Sequence, residues 1–206
     1  MRFSDWEPHY TAILEYFGFE READEEAARL LGSLADRDDL GLLEALIRGR
    51  MVTVCGNAPS LPDEVDRIEG TVLAADAAAG VLVDHGIRPD AVFTDLDGAT
   101  DLFIDLSRQG TVMIVHAHGD NIPLLRHWIP RLPGPLVATT QAAPLAHVHN
   151  FGGFTDGDRA VFAADELGAA GIRIIGFDLS DRDVDPVKRG KLYWAGELLR
   201  LIGYDL

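Results

Sequence analysis

From Met51 onward, hydrophobic positions fall into short runs separated by polar stretches. MVTVC, TVLAA, AVFTD, TVMIVH, PLVATT and IRIIGF are apolar almost continuously rather than at every second position. A strand with one wet face alternates, whereas a strand covered on both faces does not. These runs therefore predict buried parallel strands. The segments between them, near residues 76–85, 99–109, 121–129 and 156–167, predict helices. A last helix is expected from about Pro186, in PVKRGKLYWAGELLRLIG, with proline in its first turn. Strand and helix in alternation predict an α/β fold with a doubly wound, mostly parallel, Rossmann-like sheet.

Residues 1–50 have a different texture and read as an N-terminal helical segment ahead of an α/β domain over residues 51–206. Ser4-Asp5 offers an N-cap for a helix through WEPHYTAILEYF. EREADEEAARLLGSL then places Ala27, Leu30, Leu31 and Leu34 at helical spacing, and a short helix is expected from about Leu40 to Arg48. This segment holds no glycine-rich loop and reads as a helical cap or a partner surface.

Composition narrows the class. A chain of 206 residues suits one domain with a small appendage. No run of about 18 apolar residues is present, so no membrane span is expected. The N-terminus lacks the basic start and apolar stretch of a signal peptide. Cys55 is the only cysteine, which rules out an internal disulfide and, with the missing export signal, points to the cytoplasm. The 34 acidic and 18 basic residues leave a formal charge of -16. Duplex nucleic acid needs a basic face, so such a partner is not expected. Only Lys188 and Lys191 are lysines; an acidic, lysine-poor surface fits a halophilic protein whose self-repulsion is screened by salt. A phosphate binder of this composition would need metal ions held by carboxylates.

Ligands of open α/β sheets sit at the carboxyl ends of the strands, so the residues there carry the candidate chemistry. After the first strand comes Gly56-Asn57-Ala58-Pro59-Ser60, with a permissive glycine and two side chains able to donate to phosphate. Asp76 follows the second strand, as a helix cap or a ligand. Asp95 and Asp97, one residue apart after the third, can meet on one hard cation. His116, His118, Asp120 and Asn121 crowd the end of the fourth; zinc is the rival reading, though a third ligand is not evident. Thr140 and Gln141 end the fifth, suited to a heterocycle or phosphate. Then Asn150-Phe151-Gly152-Gly153-Phe154-Thr155-Asp156 combines a close backbone approach, two flat rings and a helix start. Asp178 follows the last strand, and Lys188 and Lys191 share one face of the final helix. No G-x-S-x-G nucleophile elbow exists; acids, glycine turns and donors suit phosphoryl-type transfer.

GNAPSL, DAAAGVLVDHGIRPDAVFTDLDG, VHAHGDN, TTQ and NFGGFTDGDRAVFAADELGA, in that order between about Met51 and Phe177, resemble the archaeal type of 6-hydroxymethyl-7,8-dihydropterin diphosphokinase. That family is similar to thiamine diphosphokinase, whose acidic elements correspond here to Asp76, to Pro89-Asp90 with Asp95-Leu96-Asp97-Gly98, and to Thr155-Asp156. Thr94 and Gly98 depart from the glycine and serine usual in the thiamine enzymes, and HAHGDN and NFGG are not thiamine-enzyme features. The resemblance thus implies diphosphate transfer from ATP to the pterin hydroxymethyl group with release of AMP, in tetrahydrofolate or tetrahydromethanopterin synthesis. It implies a diphosphokinase domain over residues 51–206 and Mg2+ held by Asp76, Asp95, Asp97 and Asp156, with His118 or Asp120 taking the hydroxyl proton. ATP is expected at Gly56, Asn57, Ser60, Asp76, Thr140, Gln141, Lys188 and Lys191. The pterin is expected at Asn121, Asn150, Phe151, Gly153, Phe154, Thr155, Asp156 and Asp178. Thiamine enzymes suggest a homodimer by analogy. The rivals are transfer to another alcohol such as thiamine, a non-catalytic nucleotide or pterin sensor, and a role in sugar transfer.

Overall fold

Two layers of helix enclose one seven-stranded sheet in a computed structural model that describes all 206 residues. The strands are β1 (Met51–Cys55), β2 (Thr71–Ala75), β3 (Ala91–Thr94), β4 (Val112–Ala117), β5 (Leu136–Thr140), β6 (Val148–His149) and β7 (Gly171–Ile175). Their order is β6-β5-β4-β3-β2-β1-β7 and every pair is parallel. The doubly wound sheet expected from the continuous apolar runs is what forms. Alternate residues of those runs serve opposite faces: Cys55, Val72, Ala74, Val92, Met113 and Val115 lie in one core cluster, and Val54, Leu73, Phe93 and Ile114 in the other.

The first core is covered by α2 (Arg21–Leu34), α4 (Leu61–Glu64), α5 (Ala78–Asp84), α6 (Asp101–Arg108) and α7 (Ile122–Trp128). The second is covered by α3 (Leu40–Ile47), α8 (Asp156–Glu166) and α9 (Pro186–Leu201). The chain steps strand by strand from β1 to β6, then returns beneath the sheet to place β7 beside β1. The return is made by α8, whose residues Asp158 to Ala164 are all buried. A helix apolar on most sides is stable only when enclosed like this.

α1 (Phe3–Phe17) begins earlier than Ser4-Asp5 suggested: Arg2 holds the N-cap position, and Ser4 and Asp5 lie inside the first turn. Phe3 packs beside Trp6, Tyr10, Ile13 and Leu14, so burial favours the extra helical residues, and Asp5 suits the positive helix end. That α1 cluster also takes in Ala142, Phe154 and Phe162, which joins the N-terminal helices to the strand-end loops. Strand β6 was not foreseen, because two residues carry no periodic signal. α9 starts at Pro186 with Asp185 as its cap, accepting from the N–H groups of Val187 and Lys188. No helix is long and apolar enough to cross a membrane.

Candidate active site

Parallel strands β2 and β3 deliver Asp76 and Asp95 to the same end of the sheet, and α8 begins there with Asp156. Carboxylate oxygens of these three residues lie within 4.8 Å of one another. Two backbone features aim them. Asp76 has φ 44° and Leu96 has φ 72°, both in the left-handed region that costs a side chain on the order of 1–3 kcal/mol. Thr94 stabilises both turns. Its hydroxyl donates to Asp76 Oδ1 at 2.5 Å and its oxygen accepts from the Leu96 N–H at 2.7 Å. The left-handed Leu96 separates the two acids beside it. Asp95 turns into the three-carboxylate group, whereas Asp97 is exposed and gives its N–H to Asp95 Oδ1 at 3.0 Å.

Gly98 leaves room for this arrangement, since a Cβ there would lie 2.0 Å from Asp76 Oδ2. The serine usual at this place in thiamine diphosphokinases could not be accommodated without moving Asp76. Gly153 has a similar reason: at φ 83°, a Cβ would stand 2.5 Å from the Arg159 Cα, so the loop can cross the first turn of α8 only as glycine. Asp158 fixes that turn by accepting the N–H groups of Phe154 and Thr155 at 2.8 and 2.7 Å. The nearly buried Arg159 then donates to Asp156 Oδ1 at 2.8 Å and to the Phe154 carbonyl at 2.7 Å.

The electrostatics of the three acids differ. Burial would push Asp95 up, but a hydrogen bond from His118, the Asp97 N–H and nearby positive charge outweigh it and hold Asp95 at about 2. His118 Nε2 lies 3.4 Å from Asp95 Oδ2. Burial raises Asp76, offset in part by Thr94, and the Asp95 charge raises it further. Burial drives Asp156 well above the usual carboxylate range despite Arg159, and Asp95 and Asp76 add to the rise. The group therefore resists carrying its full negative charge without a cation. Three oxygen donors, with no sulfur and no nitrogen among them, are the donor set of a hard divalent ion.

Two cavities flank the acids. The smaller, ≈ 320 Å³, is lined by Phe19, Asp24, His118, Asp120, Gln141 and Phe154, with Asp95 and Arg159 at its floor. The larger, ≈ 500 Å³, runs along Gly56-Asn57-Ala58-Pro59, Asp76, Asp97, Phe177, Asp178 and Lys188. Thr155, Asp156 and Lys191 line both. Sizes of this order suit small-molecule ligands.

Other residues singled out from the sequence take supporting places. Asn121 is buried; its Nδ2 donates to the carbonyls of Asp95 and His116 at 2.8 and 2.7 Å, and its Oδ1 accepts the His118 N–H. Asn150 donates to the carbonyls of Gln141 and Ala142 and accepts from Gly152 N–H. Thr140 is buried and accepts from Ala142 N–H, Phe151 is in the core beneath α8, and Ser60 is exposed; none of the three lines either cavity. Asp178 Oδ1 accepts from the N–H and hydroxyl of Ser180. His116 is buried, its Nδ1 3.1 Å from the Thr139 hydroxyl, and burial lowers its basicity strongly. A neutral, enclosed His116 and the absence of any cysteine beside the histidines leave the zinc reading without a ligand set.

What the sequence reading missed is the contribution of the first fifty residues. Gly18, Phe19, Glu20, Ala23 and Asp24 all line the smaller cavity. Asp24 stands on the same helical stripe as Ala27, Ala28 and Leu31, an acid in an apolar seam, and that spacing was the available signal.

The 6-hydroxymethylpterin diphosphokinase MptE-like family matches residues 28–184. A 6-hydroxymethyl-7,8-dihydropterin pyrophosphokinase of Methanothermobacter thermautotrophicus is 41% identical over 94% of this chain and 92% of its own length. The enzyme of that name from Pyrococcus furiosus is 40% identical over 97% and 93%, and that from Methanocaldococcus jannaschii 31% identical over 86% and 80%. The match crosses from the N-terminal helices into the sheet and takes in Asp76, Asp95 and Asp156. The chain belongs to the 6-hydroxymethylpterin diphosphokinase MptE-like family.

Proposed function

We propose that the protein is an ATP-dependent diphosphotransferase that converts 6-hydroxymethyl-7,8-dihydropterin to its diphosphate and releases AMP, with Mg2+ held by Asp76, Asp95 and Asp156. One observation carries the assignment of parts: the three carboxylates stand on the wall between two cavities, where a triphosphate from one side would meet an alcohol from the other. The all-oxygen donor set of Asp76, Asp95 and Asp156 fits a magnesium ion, which these residues would hold and which would supply positive charge against the charge developing on the phosphates; Gly98 leaves the space that Asp76 occupies in this group.

The larger cavity takes the nucleotide. Its Gly56-Asn57-Ala58-Pro59 loop offers backbone to phosphate, and Lys188 and Lys191 supply compact positive charge on an otherwise acidic wall. Asp97 faces this side and assists with the nucleotide rather than completing the carboxylate group. The smaller cavity takes the pterin against Phe154 and Phe19, and Gln141, which the sequence placed with ATP, falls on the pterin side. In the reaction the acceptor hydroxyl oxygen bonds to the β-phosphorus, the bond from that phosphorus to the bridging oxygen of AMP breaks, and the hydroxyl proton passes to the protein. His118 and Asp120 both line the acceptor cavity; His118 is the one tied to Asp95, and it takes the proton. Arg159 holds Asp156 in place and keeps positive charge beside the carboxylates.

The protein is read as cytoplasmic and salt-adapted, serving folate or methanopterin synthesis. Incubation with ATP, Mg2+ and the reduced pterin alcohol should yield AMP and pterin diphosphate in equal amounts. Thiamine in place of the pterin should yield neither. ADP as the nucleotide product, or binding without any AMP, would reject this reading.

A further inference from the structure

The wall of the smaller cavity contains a carboxylate that makes no contact with the three-acid group. Asp24, on α2, is 4% exposed. Its Oδ2 accepts from the Tyr10 hydroxyl and from Gln141 Nε2, each at 2.7 Å, and its Oδ1 accepts from the Gly119 N–H at 2.9 Å. The backbone of Gln141 is clamped as well: its carbonyl accepts from Trp6 Nε1 at 2.8 Å and from Asn150 Nδ2 at 3.0 Å. An ionised carboxylate can only accept. It removes the usual freedom of a glutamine amide to turn end for end, because the reversed amide would set oxygen against oxygen. Nε2 is committed to Asp24, and Oε1, which receives no hydrogen bond from the chain, is left as an acceptor on the cavity wall.

The ring system of a pterin has a guanine-like edge, with a 2-amino group and an N3–H as donors and a 4-oxo acceptor. We propose that Gln141 is a specificity-determining residue whose Oε1 accepts from the 2-amino group of this edge, and that Asp24 is the positioning residue that locks it in that orientation. The inference rests on the reading of the smaller cavity as the pterin site. It gives the N-terminal helices a part in substrate choice, since Trp6 holds the Gln141 carbonyl and Tyr10 holds Asp24, which in turn holds the Gln141 amide. A site built to pair a buried donor rejects a ligand that presents an acceptor there, because both oxygens would lose water without gaining a partner.

Asp24→Asn tests this without emptying the site. The introduced amide can keep the Gly119 N–H on its oxygen and turn its nitrogen toward Tyr10 and Gln141, whose hydroxyl and amide then reverse to accept. The cavity would present Nε2 in place of Oε1. The probes are 6-hydroxymethyl-7,8-dihydropterin and its lumazine counterpart, in which the 2-amino group is an oxo group. Dissociation constants from ligand fluorescence are the primary readout, with AMP formation measured alongside. Wild type should prefer the pterin. Asp24→Asn should weaken pterin binding roughly 10- to 100-fold and shift the preference toward the lumazine, with ATP binding and the unfolding midpoint little changed. Gln141→Leu should weaken the pterin without gaining the lumazine. An unshifted preference in Asp24→Asn, an equal loss for both ring compounds, or a wild type that binds neither would overturn the inference. Intact selectivity without AMP formation would instead reject the reaction, so the two failures are distinguishable.

Discussion

Asp95→Asn is expected to lower kcat by at least about 100-fold while the protein stays folded, since the substitution removes a charge from the one position all three acids share. Asp95 is held at about 2 because His118 and the Asp97 N–H favour its ionised form over the cost of burial, so the wild-type side chain carries its charge throughout the working pH range. Asparagine keeps the size but loses the charge, and its amide would set a donor against either His118 or the Asp97 N–H. Asp97→Asn should cost less, and the loss should show in the KM for nucleotide, because Asp97 is exposed and faces the larger cavity. In the wild type, acid should reduce activity through Asp76 and Asp156 first. Both are raised by burial, so both protonate at a higher pH than an ordinary aspartate, and each proton gained is a ligand lost. Steady-state AMP formation with circular dichroism checks the ranking; an Asp95→Asn enzyme near wild-type rate would remove the metal assignment.

Arg159→Met is expected to cost about 3 kcal/mol of stability together with most of the activity. The arginine side chain is 5% exposed and its partner Asp156 is 14% exposed, so screening by water is small. Removing the guanidinium leaves Asp156 facing Asp76 and Asp95 with no positive partner and orphans the Phe154 carbonyl. Asp156 already sits above the usual range, and without Arg159 it rises further. A carboxyl raised on folding favours the protonated native state. The deficit of Arg159→Met should therefore be small in acid and grow as pH rises from the already raised wild-type value of Asp156 to its still higher value in the variant. Adding Asp156→Asn should recover part of the stability and none of the activity. Urea unfolding at acid and neutral pH measures this; a loss equal at both would assign the effect to packing alone.

The legible and the illegible parts of the molecule separate by range. Six strands were readable because burial on both faces writes itself into consecutive residues such as Val52–Cys55 and Met113–Val115. Asp76 and Asp95 were readable because strand ends are where such folds bind, and Asp156 because Thr155 announces a helix start. The divergence of Asp95 from Asp97 was not, since nothing in TDLDG signals that Leu96 turns left-handed; Thr94 and the packing of Leu96 decide it. Asp24 was hidden in EREADEE, where it resembles a solvated acid, and its partner Gln141 lies 117 residues away in the chain. Helical spacing marked the stripe that holds Asp24, but only the folded chain shows what the stripe faces.

Gathering a divalent ion is the task assigned to the three converging carboxylates, and diffraction from crystals grown with Mn2+ and a non-hydrolysable ATP analogue reads it directly. The anomalous signal should fall within coordination distance of oxygens of Asp76, Asp95 and Asp156 and beside the phosphates of the analogue. A manganese peak on the phosphates but out of reach of those three side chains would contradict the account.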